Sequence, residues 1–426
     1  MKETIGKYRW TVVALLFFAT TINYLDRQVI GLLKPTLEAE FQWSEIDYSN
    51  IVMAFTSAYA LGLLVFGRFI DTIGTKMGYI ISIIVWSIAA IAHAAAKSTF
   101  GFMAARASLG LGEAGNFPAA IKAVAEWFPK KERALATGIF NSGANIGAVV
   151  APIMVPWILG VYGWEEAFII TGAIGFIWLI FWLIFYEIPS KQKRLAQPEY
   201  DYIHSDDELN DNNGEKVNWG KLFSIRQTWA FFFGKFLTDP IWWFFLFWLP
   251  SYFSTTFEID LKKPSLELAV IYTMTTIGSI GGGYLSGYFI KKGWPVFRAR
   301  KIAMLIFALC VVPIVTAQFA TNVWVAVALI SLAAAAHQAW SANIFTTASD
   351  MFPKKAVSSV VGIGGMAGSV GGILFPLLVG YLLNYYKTAG DITIGYNILF
   401  VICGCMYLIA WGVMHLFTPR MERVKL

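Results

Sequence analysis

The chain has 426 residues, of which 57% are hydrophobic and only 14% charged, and its mean hydropathy is +0.59. Soluble domains carry about a quarter charged residues, so an ordinary soluble enzyme is excluded. The net charge of +6 does not point to nucleic acid, because the basic residues fall in short segments between apolar stretches.

Twelve segments are long enough to cross a bilayer, which takes about 20 residues each. They run 10–33, 50–70, 78–97, 101–128, 134–159, 166–187, 227–253, 267–290, 300–319, 322–350, 357–385 and 394–417. The predicted fold is therefore all-α and integral to the membrane. The N-terminus leads into the first span with no small-residue cleavage site, so no cleaved signal is expected. That span contains the ionisable pair Asp26-Arg27. The stretch 34–50 after it reads as an acidic loop, with Glu38, Glu40, Glu45 and Asp47.

The fourth span carries Arg106 and Glu113. Seven residues are about two helical turns, so the two side chains share a face about 10 Å apart along the axis. An ionised group at membrane depth is costly unless paired or wetted. Four of them suggest a polar cavity that handles a charged solute and protons. Arg27 and Arg106 stay protonated and can grip a carboxylate through two parallel hydrogen bonds; the structural alternative pairs Arg106 with Glu113 or a backbone carbonyl. Asp26 and Glu113 are candidates for proton coupling. Desolvation favours a neutral carboxyl and a nearby guanidinium favours the charged one, so substrate and proton binding become linked.

Asn141 and Asn145 lie one turn apart in the fifth span, where Asn145 suits substrate hydroxyls and helix–helix bonding is the alternative. Between the sixth and seventh spans, 188–226 is the one long polar stretch. It contains HSDDELNDNNGEK and reads as a cytoplasmic linker with some amphipathic helix. The predicted division is thus 1–187, a linker at 188–226, and 227–426. In the seventh span Lys235 and Asp239 are an i, i+4 pair that either neutralise one another or leave Lys235 as a second anchor for the anion. Trp242 and Trp243 follow. The tenth span gathers His337, Gln338, Trp340, Ser341 and Asn343; His337, Trp340 and Ser341 share a stripe by helical spacing. An indole beside amides and an imidazole suits a hexose ring. Cys310, Cys403 and Cys405 lie in apolar segments without metal-ligand spacing, so no metal or cofactor is expected.

With a cytoplasmic N-terminus, 24 of the 33 Lys and Arg face the cytoplasm, and both termini are predicted there by the positive-inside rule. The exceptions are Lys34, Lys97, Lys262, Lys263 and Lys387 outside, and Arg27, Arg106, Lys122 and Lys235 within spans.

Phe128-Pro129-Lys130-Lys131 recurs as Phe352-Pro353-Lys354-Lys355, an offset of 224 that also maps Gly138 onto Gly362, Gly147 onto Gly371 and Pro152 onto Pro376. Spans 4–5 thus repeat as spans 10–11, and the chain is six plus six. Parallel repeats of this kind place the substrate at midplane between halves that rock. Glu113 maps onto His337, so binding is expected to be asymmetric. A secondary transporter fits. No nucleophile or cofactor motif supports a membrane enzyme, no pore loop supports a channel, and no G-x4-G-K-[ST] loop supports ATP-driven transport.

Gly67-Arg-Phe-Ile-Asp71-Thr-Ile-Gly74-Thr-Lys76 resembles the loop signature of the major facilitator superfamily, G-x3-D-x2-G-x-K/R, with Thr72 where a basic residue is usual. The equivalent loop after span 8, Gly283 to Gly287, lacks the Asp. Within that superfamily, Asn23-Tyr24-Leu25-Asp26-Arg27 with Arg106-x6-Glu113 resembles the anion:cation symporters. KFLTDPIWWFFLFWLP and HQAWSANIFTTASDMFPKK narrow the likeness to bacterial hexuronate carriers. The resemblance implies proton-coupled symport of a sugar-acid monoanion across the cytoplasmic (inner) membrane by a chain that works as a monomer. It also implies that Tyr24 and Tyr59 join the polar pocket and that Gly67, Asp71, Gly74 and Lys76 form the conformational loop. An organic-anion or organic-phosphate exchanger, or an aldonate symporter, is the alternative.

Overall fold

Lipid offers no water to bond free amide groups, and a helix pairs them internally, so an apolar chain of this kind crosses as helices. A computed structural model describes residues 6–43, 45–205, 219–258 and 266–424, and among them there is no strand. Span 1 is Tyr8–Phe41, span 2 Glu45–Ile73 and span 3 Thr75–Ala92. Span 4 is Thr99–Glu113 continued by Asn116–Trp127. Span 5 is Lys130–Val161, span 6 Trp164–Phe185, and span 7 Arg226–Phe247 continued by Leu249–Phe257. Spans 8 and 9 are Leu266–Lys291 and Val296–Val311, the latter extended by a 3-10 turn over Val312–Phe319. Spans 10 to 12 are Val323–Met351, Val357–Thr388 and Ile392–Phe417.

Among the described residues, nine helices are long and apolar enough to cross a membrane by length and composition alone. The three segments outside that set are spans 1, 4 and 7. Span 1 carries Asp26-Arg27, span 4 is interrupted at Ala114-Gly115 beside Glu113, and span 7 carries Lys235 and Asp239 with Pro240 inside its helix. The spans that look least like membrane helices are the ones that bring charge to the centre. The stretch 34–50 is not the loop expected from the sequence. The acidic stretch after the first span is largely helix, because span 1 continues to Phe41 and Lys34 pairs with Glu38 one turn on, at 3.1 Å.

The packing repeats along the chain. Span 1 lies on span 5 as span 7 lies on span 11, span 2 on span 4 as span 8 on span 10, and span 3 on span 6 as span 9 on span 12. The two sets of six meet along spans 2 and 11 and along spans 5 and 8. Glycines permit that approach. A Cβ on Gly362 would strike the Leu63 carbonyl oxygen, and one on Gly283 would strike the Ala134 carbonyl oxygen.

Gly6 and Val424, the first and last described residues, lie at one end of the bundle, the terminal end, against Glu199 and Met351. There Glu199, in the short helix Gln197–Ile203, accepts the amide N–H groups of Tyr8 at 3.0 Å and Arg9 at 3.1 Å. The Arg9 guanidinium bridges Glu132 at 2.9 Å and Glu199 at 3.0 Å. Residues 206–218, with most of the polar run read as linker, and Lys262 and Lys263 lie outside the described residues.

Candidate functional site

Two cavities lie in series between the halves. The inner one, about 90 Å³, is lined from the first half by Tyr24, Arg27, Tyr59 and Asn141 and from the second by Lys235, Asp239, His337 and Gln338. The outer one, about 440 Å³, lies farther from the terminal end, where Arg106, Asn145 and Tyr272 line it. Tyr24, Arg27, Trp242 and Trp243 border both. Ligand pockets commonly span about 300–1,000 Å³, so the outer cavity has room for a small solute and the inner one for part of it.

Arg27 stands at the junction. Its Nε donates to Glu113 Oε2 at 3.0 Å and its Nη2 to the same oxygen at 2.8 Å, with Asn23 Oδ1 at 3.4 Å. Its guanidinium carbon lies 4.7 Å from the Tyr24 ring centre, 5.1 Å from Phe55 and 4.8 Å from Tyr59. The rings attract the cation while excluding water. Glu113 is fully buried and lines neither cavity, so it holds the arginine from behind. Its place at the break of span 4 follows from Gly112 and Gly115, which let that span press against span 3 at Trp86 and Ser82.

Arg106 does not bond Glu113. Its Nη2 donates to the Arg27 carbonyl at 2.9 Å, its guanidinium lies 5.1 Å from the Phe55 ring, and its Nε and Nη1 have no hydrogen-bond partner. Asp26 is buried and faces Thr171 of span 6, away from both cavities. The Thr171 hydroxyl is committed to the Ala167 carbonyl at 2.9 Å, and neither Asp26 oxygen accepts a hydrogen bond.

In the second half Lys235 Nζ lies 2.8 Å from Asp239 Oδ2 and 4.1 Å from the centre of the Phe345 ring. Phe345 in turn stacks on Phe117 across the two halves at 5.3 Å, closing the inner cavity toward the terminal end. Beside that stack Asn141 Nδ2 donates to Gln338 Oε1 at 2.9 Å. His337 stacks on Trp242 at 5.1 Å and bonds the Tyr407 hydroxyl.

The stripe read in span 10 is split. His337 and Ser341 line the inner cavity. Trp340 is fully buried, edge-on to Tyr407 at 5.5 Å, and lines neither cavity. Asn343 donates to the carbonyls of Gly282 in span 8 and Ala339, both at 2.9 Å, and is likewise outside both cavities. Sequence reasoning missed Phe55 and Tyr407, which shape the site as rings in apolar helices. Charge at membrane depth had no way to mark them.

The geometry of a polar chamber between two six-helix halves is that of a carrier. A profile of the Major Facilitator Superfamily matches residues 16–376. The hexuronate transporter of Escherichia coli (strain K12) is 34% identical over 413 residues, covering 95% of this chain and 94% of its own. The galacturonate transporter of Dickeya chrysanthemi is 34% identical over 330 residues, 76% of this chain and 95% of its own. The structure of the proton:xylose symporter XylE superposes with a TM-score of 0.75 over 97% of each chain at 15% identity, a likeness of fold. This chain belongs to the Major Facilitator Superfamily. It is a multi-pass membrane transporter and not an enzyme.

The superfamily loop signature now has a geometry. Gly74 adopts φ 89°, a left-handed value that favours glycine, and turns the chain from span 2 into span 3. Asp71 accepts from Lys122 Nζ at 2.9 Å and from the Ser358 and Ser359 amides at 3.2 and 2.6 Å. Those amides open span 11, so an acid of one half caps a helix of the other. Gly67 gives the clearance for this, since a Cβ there would meet the Ser358 carbonyl oxygen at 2.6 Å. Lys76 pairs with Glu187 at 2.8 Å, and the Thr72 hydroxyl turns back to the Arg68 carbonyl at 2.9 Å. On the other side of the terminal end, Asp350 accepts from Arg300 Nε at 2.9 Å and lies 3.4 Å from Arg133 Nη1. Arg300 Nη2 also donates to the Lys130 carbonyl at 2.7 Å. This second lock was not singled out from the sequence.

Proposed function

We propose that this member of the superfamily carries a sugar-acid monoanion, a hexuronate such as galacturonate or glucuronate, together with a proton. The Arg27–Glu113 pair at the junction of the cavities carries the reading. A solute carboxylate that docks on Arg27 competes with Glu113 for the same fork of N–H donors. Protonation of Glu113 frees those donors and keeps the buried charge balanced, which couples proton to anion without a covalent step. Arg106, which lines the outer cavity and has two unpartnered nitrogens, meets the anion first. Asp26 is the second acid at this level. Tyr24, Tyr59, Asn145, His337 and Gln338 offer hydroxyl, amide and ring contacts to the sugar. The relatives named for uronates support the substrate class. Trp340 and Asn343 do not enter the site.

The basic residues gathered at the terminal end support a cytoplasmic location for both termini. With that end sealed by Asp71 and Asp350, the outer cavity faces outside. The two halves, 1–187 and 227–426 joined by 188–226, would rock about the site, and one chain suffices.

The test uses purified protein in vesicles free of internal solute. An imposed inward proton gradient drives accumulation of labelled galacturonate. Glu113→Gln still exchanges internal for external label but loses gradient-driven accumulation. Uptake that depends only on internal counter-substrate would favour the exchanger reading, and full gradient-driven uptake in Glu113→Gln would refute coupling through this residue.

A further inference from the structure

We propose that Asp239 is a selectivity element that turns away sugar acids bearing a carboxylate at both ends. The proposal rests on the sugar-acid reading above. Two cations reach the inner cavity from opposite halves, Arg27 on span 1 and Lys235 on span 7, and each is held by an acid. The two acids are placed differently. Glu113 sits behind Arg27, fully buried and outside both cavities. Asp239 lines the cavity itself, and its side chain is 21% exposed against 6% for Lys235. The first half therefore presents a guanidinium to the cargo and the second half presents a carboxylate.

The surroundings hold Asp239 in that place. Its carboxylate packs against Gly368 of span 11, where a Cβ would collide with Oδ2. Lys235 approaches from one turn away, pinned over the Phe345 ring. Pro240 follows directly within the helix; lacking an N–H, it loosens the helix just where the pair sits.

A solute that gives its carboxylate to Arg27 directs its other end toward span 7. A hydroxyl there can donate to Asp239, an acceptor with no proton to give. A second carboxylate brings no donor and meets a like charge in a confined site, the repulsive element by which a site rejects a near-isosteric ligand. Neutralising Asp239 would reverse the preference, because Lys235 would then be free to receive the second carboxylate.

The experiment measures binding by titration calorimetry to the purified full chain, using galacturonate, galactarate and the mono-methyl ester of galactarate. On the parental protein the half-ester should bind about tenfold or more tighter than the diacid. In Asp239→Asn the diacid should gain about tenfold relative to galacturonate, and Lys235→Gln added to that variant should remove the gain. The half-ester arm needs no variant, so misfolding of Asp239→Asn leaves it decisive. Equal binding of diacid and half-ester to the parental protein, or an unchanged diacid-to-monoacid ratio in folded Asp239→Asn, overturns the role of Asp239. Failure of all three compounds to bind sinks the sugar-acid reading itself and the inference with it.

Discussion

Arg27 is packed among three aromatic rings and bonded twice to one oxygen of Glu113. A planar fork fits that pocket and a point charge does not, so the conservative change is not conservative. Arg27→Lys should fold yet lose about a hundredfold or more in transport, since the ammonium cannot replace two parallel N–H donors to a carboxylate. Transport near the parental rate in a labelled-uptake assay would remove Arg27 from the substrate path. Asn343 makes the opposite case. It ties span 10 to the Gly282 carbonyl, so Asn343→Ala should lower thermal stability by about 0.5–2 kcal/mol, as interhelical bonds in membranes do. Its transport per folded molecule should stay near parental; a selective loss of galacturonate affinity would instead return Asn343 to the site. The ionisable residues were legible in the sequence because charge is costly in lipid. Their partners were not: Arg27 and Glu113 are 86 positions apart, and no local spacing reports such a pair. Helical spacing alone put Trp340 on the stripe with His337 and Ser341, and packing against Tyr407 took it out.

Spans 1, 4 and 7 are the elements that depart from plain membrane helices, and they supply Arg27, Arg106, Glu113, Lys235 and Asp239. Their positions were readable from hydropathy, but their ends and breaks were not. The extension of span 1 to Phe41 runs through polar residues whose i, i+4 pair, Lys34–Glu38, supports the helix. The break in span 4 arises where small residues let three helices crowd together. Elements must also slide or part where the halves meet, and the seam of spans 2 and 11 has backbone against backbone at Gly67 and Gly362. Gly362→Val should wedge this seam open. The expected result is loss of gradient-driven uptake and binding of external galacturonate weakened by about fivefold to a hundredfold, because overpacking typically costs about 1–3 kcal/mol and about 1.4 kcal/mol is tenfold. Normal uptake kinetics would show that the seam does not need this contact.

At the scale of the molecule, the terminal end is held shut by two contacts that cross between halves on opposite sides of the bundle: Asp71 on the first turn of span 11, and Asp350 between Arg300 and Arg133. Rocking of the halves, as proposed above, must release both while the opposite end closes. Each set consists of hydrogen bonds to charged groups, worth about 1.5–3 kcal/mol apiece, so removing one shifts the balance between the two states rather than abolishing either. Asp350→Asn keeps the shape of the side chain and removes the charge that draws Arg133 and Arg300 together. About 1.4 kcal/mol of lost closure corresponds to tenfold in the ratio of states. A cysteine introduced at Val361, which lines the inner cavity, reports the change once Cys310, Cys403 and Cys405 are replaced by serine. Its labelling by a reagent supplied at the terminal end should rise by about tenfold in the Asp350→Asn background, and external galacturonate should bind more weakly as the outward-facing population falls. Added galacturonate should partly restore protection, because a ligand stabilises the state that binds it. Labelling that is unchanged by the substitution would mean that Asp350 braces the second half internally and that Asp71 alone secures the seam.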